Sequence, residues 1–197
     1  MTNVIKSVMD SDKDILMAIR NLYLGGENFT LDPCYSTGKF YEDMDAPLVL
    51  MDKVKSMGGV IENDIMNGIP IKDSYIKGIV FDPPFMFGTH GQTKNNAMNK
   101  RFTMFDSWGE LESMYKKSLS EFYRILEKGG IVAFKCQDYT DSKTTMTHCF
   151  VHNWAIEAGF KAEDLFIKVF RGGRIWNSGL TQRHARKYHS YWFVFKK

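Results

Sequence analysis

The chain has 197 residues, of which 44% are hydrophobic and 25% are charged. This composition is typical of a globular protein with a full core, and the length predicts one domain over residues 1–197. No apolar run is long enough to cross a membrane, and the first residues lack the order of a signal peptide. We therefore expect a cytoplasmic protein with no membrane partner. The cysteines Cys34, Cys136 and Cys149 follow no metal or disulfide spacing, which predicts reduced thiols and no metal site.

Charge is distributed unevenly along the chain, although its formal sum is only +3. Up to Asp164 there are 18 basic and 23 acidic residues, and the eight charged residues beyond Asp164 are all basic. A basic end on an acidic body favours a polyanionic partner that approaches from one side. A solvated basic surface would give the same distribution, so charge alone leaves both interpretations open.

The first half of the chain alternates helical and strand patterns. Residues 11–24 carry apolar side chains at helical spacing, with Ser11 or Asp12 as the N-terminal cap. Strands are predicted over residues 28–32, 46–52, 58–62 and 78–81. Each strand ends in or near an acidic residue, and ligands of open α/β sheets bind at this carboxyl edge. Asp52 lies 20 residues after Asp32, the spacing at which an acid accepts ribose hydroxyls in a dinucleotide-type βαβ unit.

The stretch from Ile79 to Phe85 joins a buried strand to two prolines and an aromatic ring. The strand must end at Asp82, because Pro83 and Pro84 cannot donate to a sheet ladder. A carboxylate, two free carbonyls and a ring face are therefore expected at the sheet edge. The carboxylate and a carbonyl can accept the N–H groups of a nucleobase amine and free its lone pair for attack, while the ring stacks on the extruded base. An ordinary strand followed by a Pro-Pro turn is the alternative.

Two basic loops are candidate nucleic-acid-binding insertions. Residues 86–106 lack periodicity, and long structureless loops in compact domains are usually lids or binding loops. This loop contains both basic and aromatic residues, which together suit a nucleic-acid strand. Residues 171–187 form a second basic loop, which suits phosphate contacts. The predicted contacts are Lys94, Lys100, Arg101, Arg171, Arg174, Arg183, Arg186 and Lys187. A solvated surface loop is the alternative for both.

The second half continues the alternation of helices and strands. A helix is predicted over residues 107–127, capped by Ser107 and stopped by Gly129-Gly130, and a strand follows over residues 131–137. A helix over residues 144–158 and strands over 165–170 and 188–196 complete the pattern. No helix separates the last two strands, so the last one can pair antiparallel in an otherwise parallel sheet with helices on both faces.

Four phrases resemble, in order, the pattern of small S-adenosylmethionine-dependent DNA amino-methyltransferases. They are LDPCYSTGKFY, DIMNGIPIKDSYIKGIVFDPPF, YRILEKGGIVAFKCQDY and RKYHSYWFVFKK. These N-4 cytosine/N-6 adenine methylases are common in bacteriophages and mobile elements, and the resemblance extends over residues 12–197. It implies a Rossmann-like class I methyltransferase fold, a three-layer α/β sandwich whose seven-stranded, mainly parallel sheet has an antiparallel last strand. It also implies S-adenosylmethionine as cofactor, DNA as partner, and a place in DNA methylation or restriction-modification.

The same resemblance implies a role for each residue that matches the family pattern. Asp32 and the loop residues Tyr35, Ser36, Thr37 and Gly38 would contact the methionine part of S-adenosylmethionine, Asp52 its ribose and Asp64 its adenine amino group, while Asp82, Pro83, Pro84 and Phe85 would hold the target base. Many relatives have an aromatic-x-Gly-x-Gly turn in the cofactor loop, where glycine lets the backbone approach the ligand. Only Gly38 of that turn is present in this chain.

The preferred interpretation is methyl transfer to the N6 amine of adenine in DNA, since by resemblance an Asp before Pro-Pro favours adenine. N4 of cytosine and a base amine of RNA are alternatives within the same class of enzyme. A catalytically inactive nucleic-acid-binding subunit is favoured by the reduced glycine loop and disfavoured by the intact Asp-Pro-Pro-Phe. A nicotinamide-dependent oxidoreductase is disfavoured because the Gly-x-Gly-x-x-Gly turn is missing.

Overall fold

The computed structural model describes residues 4–42, 44–55, 57–87, 105–140, 143–172 and 181–197. The predicted nucleic-acid contacts Lys94, Lys100, Arg101 and Arg174 lie outside these ranges. The described helices are α1 (Asp12–Tyr23), α2 (Trp108–Ile125) and α3 (Thr147–Glu157), and two 3-10 turns lie at Lys39–Tyr41 and Ile65–Asn67. None of these helices is long and apolar enough to cross a membrane.

The described strands, in chain order, are β1 (Val8–Met9), β2 (Leu31–Asp32), β3 (Val49–Asp52), β4 (Ile61–Glu62), β5 (Ile76–Phe81), β6 (Leu126–Cys136), β7 (Tyr139–Thr140), β8 (Thr144–Thr145), β9 (Lys161–Val169) and β10 (His189–Lys196). Within the described part of the chain, one sheet has eight strands in the order β1-β9-β10-β6-β5-β2-β3-β4. The strands β7 and β8 pair with each other as a small separate hairpin.

The direction of the strands confirms the predicted mixed sheet. From β6 through β5 and β2 to β3 and β4, neighbouring strands pair parallel. The last strand, β10, lies between β6 and β9 and pairs antiparallel with both. The expectation of seven strands missed β1, whose two residues pair parallel with Ile167 and Lys168 at the sheet edge. A strand of two residues is too short to give a periodic pattern in the sequence.

Helices cover both faces of the sheet. Successive residues of a strand point to opposite faces, so neighbouring residues of β5 belong to different buried clusters. On one face, Ile15 and Ile19 of α1 belong to the same buried cluster as Val80 of β5. On the other face, α2 and α3 pack in a second cluster that contains the next strand residue, Phe81. This is the three-layer arrangement predicted from the sequence.

The predicted caps of the first two helices are confirmed. The Ser11 hydroxyl accepts a hydrogen bond from the Asp14 N–H at 3.2 Å, and the Ser107 hydroxyl accepts one from the Glu110 N–H at 3.3 Å. Each bond satisfies one of the N–H groups that the first turn of a helix leaves without a partner.

The predicted glycine stop of α2 is wrong. The helix ends at Ile125, and Leu126 is already extended at φ −67° and ψ 137° as the first residue of β6. Gly129 and Gly130 lie inside β6, near a register shift that separates Ile76 from Gly78 in the pairing with β5. Glycines mark an irregularity within a strand here, which is the other position that they commonly occupy.

Helix α3 also begins later than predicted. The sequence pattern places its start at residue 144, whereas Thr144 and Thr145 pair with Thr140 and Tyr139 in the hairpin and the helix begins at Thr147. The β-branched threonines favour the strand over the helix. The hairpin follows directly on the carboxyl end of β6, at the edge where ligands are expected.

Candidate active site

Three of the predicted site acids meet at one edge of the sheet. Asp32 ends β2, Asp52 ends β3, and Asp82 follows the last residue of β5. The strand β2 lies between β3 and β5, so the three carboxylates occupy neighbouring positions. Burial raises the pKa of Asp32 to about 7, and the charges of Asp82 and Asp52 act in the same direction. The sequence prediction that these acids converge is consistent with this placement.

Asp32 is enclosed by groups of the protein itself. Its side chain is buried, Oδ1 accepts a hydrogen bond from the Cys34 N–H at 2.9 Å, and Oδ2 accepts one from the Tyr41 hydroxyl at 2.8 Å. These two bonds oppose the effect of burial on its pKa. Cys34 packs against the core as a free thiol. Asp32 therefore fixes the loop that follows β2, and Tyr41 is a partner that the sequence analysis missed.

The predicted cofactor loop, residues 35–38, lies across the carboxyl end of β3. The Tyr35 N–H donates to the Met51 carbonyl at 3.0 Å, and the Ser36 N–H donates to Asp52 Oδ2 at 2.7 Å. Ser36 and Thr37 are exposed. Gly38 has a φ of 66°, and a Cβ atom at this position would lie 2.2 Å from the Tyr35 hydroxyl oxygen. Only glycine fits this turn without displacing the tyrosine ring.

The two remaining acids of the predicted cofactor site also have a partner on each oxygen, but they are less buried than Asp32. Asp52 is half-buried, and its Oδ1 accepts from the Val54 N–H at 3.2 Å. Asp64 caps the turn at Ile65–Asn67 by accepting from the Met66 N–H at 3.0 Å, and it pairs with the exposed Lys53 at 3.0 Å. Burial acts to raise the pKa of Asp64, but these two partners outweigh it and lower the pKa. Both acids have access to solvent and can accept further hydrogen bonds.

The segment after β5 presents one free carbonyl where the sequence predicted two. The Pro84 carbonyl accepts a hydrogen bond from the hydroxyl of the buried Tyr115 at 2.9 Å, which corrects the expectation that it is free. No described residue donates to the Pro83 carbonyl. The half-buried Phe85 stacks on no described aromatic ring. One oxygen of the Asp82 carboxylate and the Pro83 carbonyl thus have no donor, and the Phe85 ring has no aromatic partner, among the described residues.

Asp82 has a cationic partner that the sequence analysis missed. Lys135 of β6 places its Nζ 3.3 Å from Asp82 Oδ2 and 3.1 Å from Oδ1 of Asp12, the first residue of α1. Burial raises the pKa of Asp82, and the charge of Lys135 opposes this without cancelling it. The one signal in the sequence was a single lysine within the apolar run of residues 131–136.

A second polar cluster lies at the carboxyl end of β6. Asp138 is buried, and its Oδ1 lies 2.7 Å from Nδ1 of His148 in α3. Its Oδ2 accepts from the Tyr191 hydroxyl of β10 at 3.3 Å, and that hydroxyl lies 2.9 Å from Nε2 of His189. The sequence analysis assigned no role to these residues, since the four of them come from three separate segments.

The predicted nucleic-acid loops are described only near their ends. Phe105 donates its N–H to the Met86 carbonyl at 3.1 Å, and Phe87 packs on Trp108 and Tyr139, with ring centroids 5.2 Å and 4.7 Å away. The ends of the loop over residues 86–106 therefore meet shortly after Asp82.

The second loop is basic and exposed where it is described. Arg183 and Arg186 are exposed and Lys187 is half-buried. Arg171 is also exposed but pairs with Asp10 at 2.7 Å, which reduces the charge it can offer a phosphate. Among the described residues of this loop, Arg183, Arg186 and Lys187 are the candidates for phosphate contacts besides Arg171.

Comparisons with known proteins identify the fold. No family model matches the chain, and no curated protein matches it in sequence. A candidate hemolysin from Lactococcus lactis superposes with a TM-score of 0.53 at 17% identity, over 91% of this chain and 84% of that one. An S-adenosylmethionine-dependent methyltransferase from Leishmania major superposes with a TM-score of 0.50 at 14% identity, over 93% and 72%.

A candidate DNA modification methylase from Thermus thermophilus, solved with S-adenosylmethionine, superposes with a TM-score of 0.47 at 13% identity. The match covers 68% of this chain and 51% of that one, so the chain spans about half the length of that protein. Identities of this size show the fold alone. The Leishmania major enzyme and the sheet order show that the chain has the Rossmann-like fold of S-adenosylmethionine-dependent methyltransferases.

Proposed function

We propose that the protein transfers a methyl group from S-adenosylmethionine to the N6 amine of adenine in DNA. The observation that carries this proposal is the group after β5. Asp82 Oδ1 and the Pro83 carbonyl have no donor among the described residues, and the Phe85 ring is half-buried beside them. Two acceptors and a ring face are what a flipped base with an exocyclic amine requires.

Asp52 at the end of β3 and Asp64, two residues after β4, fit the cofactor. Asp52 and Asp64 are accessible carboxylates, and the cofactor offers ribose hydroxyls and an adenine amine as donors. We assign Asp32 a different role from the one implied by the resemblance. It is buried and its two oxygens accept from Cys34 and Tyr41, so it holds the loop over residues 35–38 in place for the methionine part of the cofactor.

The residues after β5 can activate an amine. A bound cofactor would supply an electrophilic methyl group, whose bond to sulfur is exchanged for the bond to nitrogen, with the neutral thioether S-adenosylhomocysteine as the leaving group. Asp82 and the Pro83 carbonyl accept the two N–H groups of the amine, which draws the nitrogen towards tetrahedral geometry and frees its lone pair. As the nitrogen gains the methyl group it becomes positive, and the Asp82 carboxylate stabilises this charge and accepts the proton that the nitrogen loses. The raised pKa of Asp82, caused by burial, favours proton acceptance.

The test is methyl transfer by the purified protein from labelled S-adenosylmethionine to duplex DNA, single-stranded DNA and RNA, followed by nucleoside analysis. We expect N6-methyladenine in DNA. Detection of N4-methylcytosine or of a methylated RNA base instead would support the same mechanism on a different substrate. Cofactor binding without transfer to any of these acceptors would support the inactive nucleic-acid-binding subunit and contradict the proposal.

Asp52→Ala is expected to weaken S-adenosylmethionine binding. Losing hydrogen bonds to a charged acceptor costs about 1.5–3 kcal/mol, which is roughly 10- to 150-fold in the dissociation constant. Titration calorimetry measures this change. Asp52→Asn retains an acceptor oxygen for the Ser36 N–H and should lose less, whereas Glu62→Ala removes an exposed acid from the neighbouring strand and should bind normally. Unchanged affinity in folded Asp52→Ala would remove Asp52 from the cofactor site.

Replacing Arg183, Arg186 and Lys187 together by alanine is expected to weaken DNA binding and to flatten its salt dependence. Each lost phosphate contact should reduce the slope of log affinity against log salt concentration by roughly 0.9. Fluorescence anisotropy at several salt concentrations measures the slope.

The matched control for this variant replaces the exposed Lys55, Lys72 and Lys128, which removes the same charge from other surfaces. Its slope should stay close to that of the wild type. Equal slopes for both triple variants would show that residues 183–187 contribute only to the net charge of the protein.

A further inference from the structure

Four charged side chains of alternating sign connect the start of α1 to the residue that follows β5. Lys168 Nζ lies 2.9 Å from Asp12 Oδ2, and Asp12 Oδ1 lies 3.1 Å from Lys135 Nζ. Lys135 Nζ then lies 3.3 Å from Asp82 Oδ2. The charge of Asp82 in turn acts to raise the pKa of Asp32, at the end of β2. The four residues come from α1, β6, β9 and the end of β5, so only the fold brings them together.

Lys135 is held on every side that the structure describes. Its side chain is only 12% exposed, and its Nζ lies 4.7 Å from the ring centre of Phe40 and 5.3 Å from that of Trp192. Both rings offer a negative face to the cation. A lysine is almost never buried in a central strand unless it is paired, because removing its charge from water is costly. Its position is therefore fixed rather than adaptable.

The two carboxylates beside Lys135 depend on it to different degrees. Asp12 is also bonded to Lys168 and accepts a hydrogen bond from the Trp192 indole N–H at 2.9 Å, so its charge is balanced without Lys135. Among the residues that the structure describes, Asp82 has no cationic contact except Lys135. Lys168 and Trp192 would be sufficient to anchor α1 through Asp12, so anchoring α1 does not explain the presence of Lys135.

We propose that Lys135 is a positioning residue for methyl transfer: it holds Asp82 Oδ2, keeps the carboxylate charged, and leaves Oδ1 for the substrate amine. This inference rests on the proposed function of Asp82. An anchored carboxylate loses no rotational freedom when the amine arrives, and a preorganised acceptor stabilises developing charge better than a mobile one. Asp12, held from the other side by Lys168 and Trp192, keeps Lys135 from moving away.

The test compares Lys135→Met with Lys168→Met, which removes the same charge from the same network without a direct contact to Asp82. We expect Lys135→Met to lower kcat by about 10- to 100-fold, somewhat less than the loss of a direct hydrogen-bonding group, with little change in cofactor affinity. Lys168→Met should lower kcat less than about threefold. Lys135→Arg keeps the charge and should recover most of the activity.

The pH profile separates this role from a purely structural one. Lys135 and, less strongly, Lys168 act to lower the pKa of Asp82, whereas Asp12 acts to raise it, so the acid limb of log kcat should move to higher pH in Lys135→Met and move less in Lys168→Met. In an Asp82→Asn background there is no charge to hold, and adding Lys135→Met should lower kcat less than about twofold further. Should Lys135→Met not fold, Lys135→Gln keeps an N–H donor and carries the same comparison.

The outcomes distinguish the two proposals. A folded Lys135→Met with the kcat and acid limb of the wild type, in a protein that methylates DNA, would overturn this inference and leave the proposed function intact. Equal losses in Lys135→Met and Lys168→Met, without a shift of the acid limb, would also overturn it in favour of a structural network. A wild-type protein that binds cofactor but methylates no nucleic acid would overturn both.

Discussion

Asp82→Ala is expected to reduce methyl transfer by about 100- to 1000-fold, the usual cost of losing one preorganised hydrogen-bonding group that acts in the transition state. The reduction should appear in kcat, because Asp82 interacts most strongly with the amine when its nitrogen becomes positive. Cofactor affinity should remain nearly unchanged, since the acids assigned to the cofactor lie at the end of β3 and in the turn after β4. Methyl incorporation into duplex DNA and titration calorimetry measure the two quantities.

Asp82→Asn is the matched control for Asp82→Ala. It keeps the shape and one acceptor oxygen but loses the charge that Lys135 balances, so part of the activity should remain. Activity below that of Asp82→Ala would show that the amide disturbs the site by placing an N–H group towards Lys135. Wild-type activity in folded Asp82→Ala would contradict the proposed function at its centre.

The sequence was sufficient to place acids at the ends of the central strands. Apolar runs that end in Asp32, Asp52 and Asp82 are recognisable because a buried strand must change to polar residues where it reaches the sheet edge. The two prolines after Asp82 define the end of β5 without any knowledge of its neighbours. The order of residue types along the chain therefore predicted which side chains lie at the edge of the sheet.

The side chains that contact this group could not be predicted from the sequence. Lys135 lies 53 positions from Asp82 in the chain, and Asp12 approaches from the opposite direction as the first residue of α1. Only the parallel pairing of β5 with β6 places Lys135 beside Asp82. Likewise, the hydrogen bond from Tyr115 to the Pro84 carbonyl depends on how α2 packs on the sheet. Such contacts depend on register and packing rather than on local pattern.

The missed boundary between α2 and β6 has a related cause. Glycine pairs usually end helices, and Gly129-Gly130 offered that interpretation. In the structure, the turn from helix to strand needs no glycine because Leu126 adopts an ordinary extended conformation, with its side chain buried. The residues around Gly129-Gly130 are compatible with the end of a helix and with a strand, and tertiary packing favours the strand.

The aromatic core beneath Asp82 leads to the prediction with the largest expected effect on stability. Phe81 directly precedes Asp82, is fully buried, and packs edge to face on Phe122 and Phe134, with ring centroids 4.8 Å and 4.9 Å away. Phe81→Ala should lower the free energy of unfolding by about 3–5 kcal/mol, from lost burial and the cavity that remains. For a chain of this length the melting temperature should fall by roughly 6–20 °C.

Two control variants distinguish the effect of Phe81 on the stability of the core from its effect on the active site. Phe81→Leu keeps most of the apolar volume, so its free energy of unfolding should fall less than that of Phe81→Ala. Phe150→Ala makes the same truncation at a side chain that is 44% exposed, and it should cost about 1 kcal/mol or less. Thermal melting followed by circular dichroism measures all three. Because Phe81 fixes the strand end from which Asp82 projects, folded Phe81→Leu should bind cofactor normally and lose activity through kcat. A melting temperature for Phe81→Ala equal to that of Phe150→Ala would show that the ring does not support the edge of the sheet.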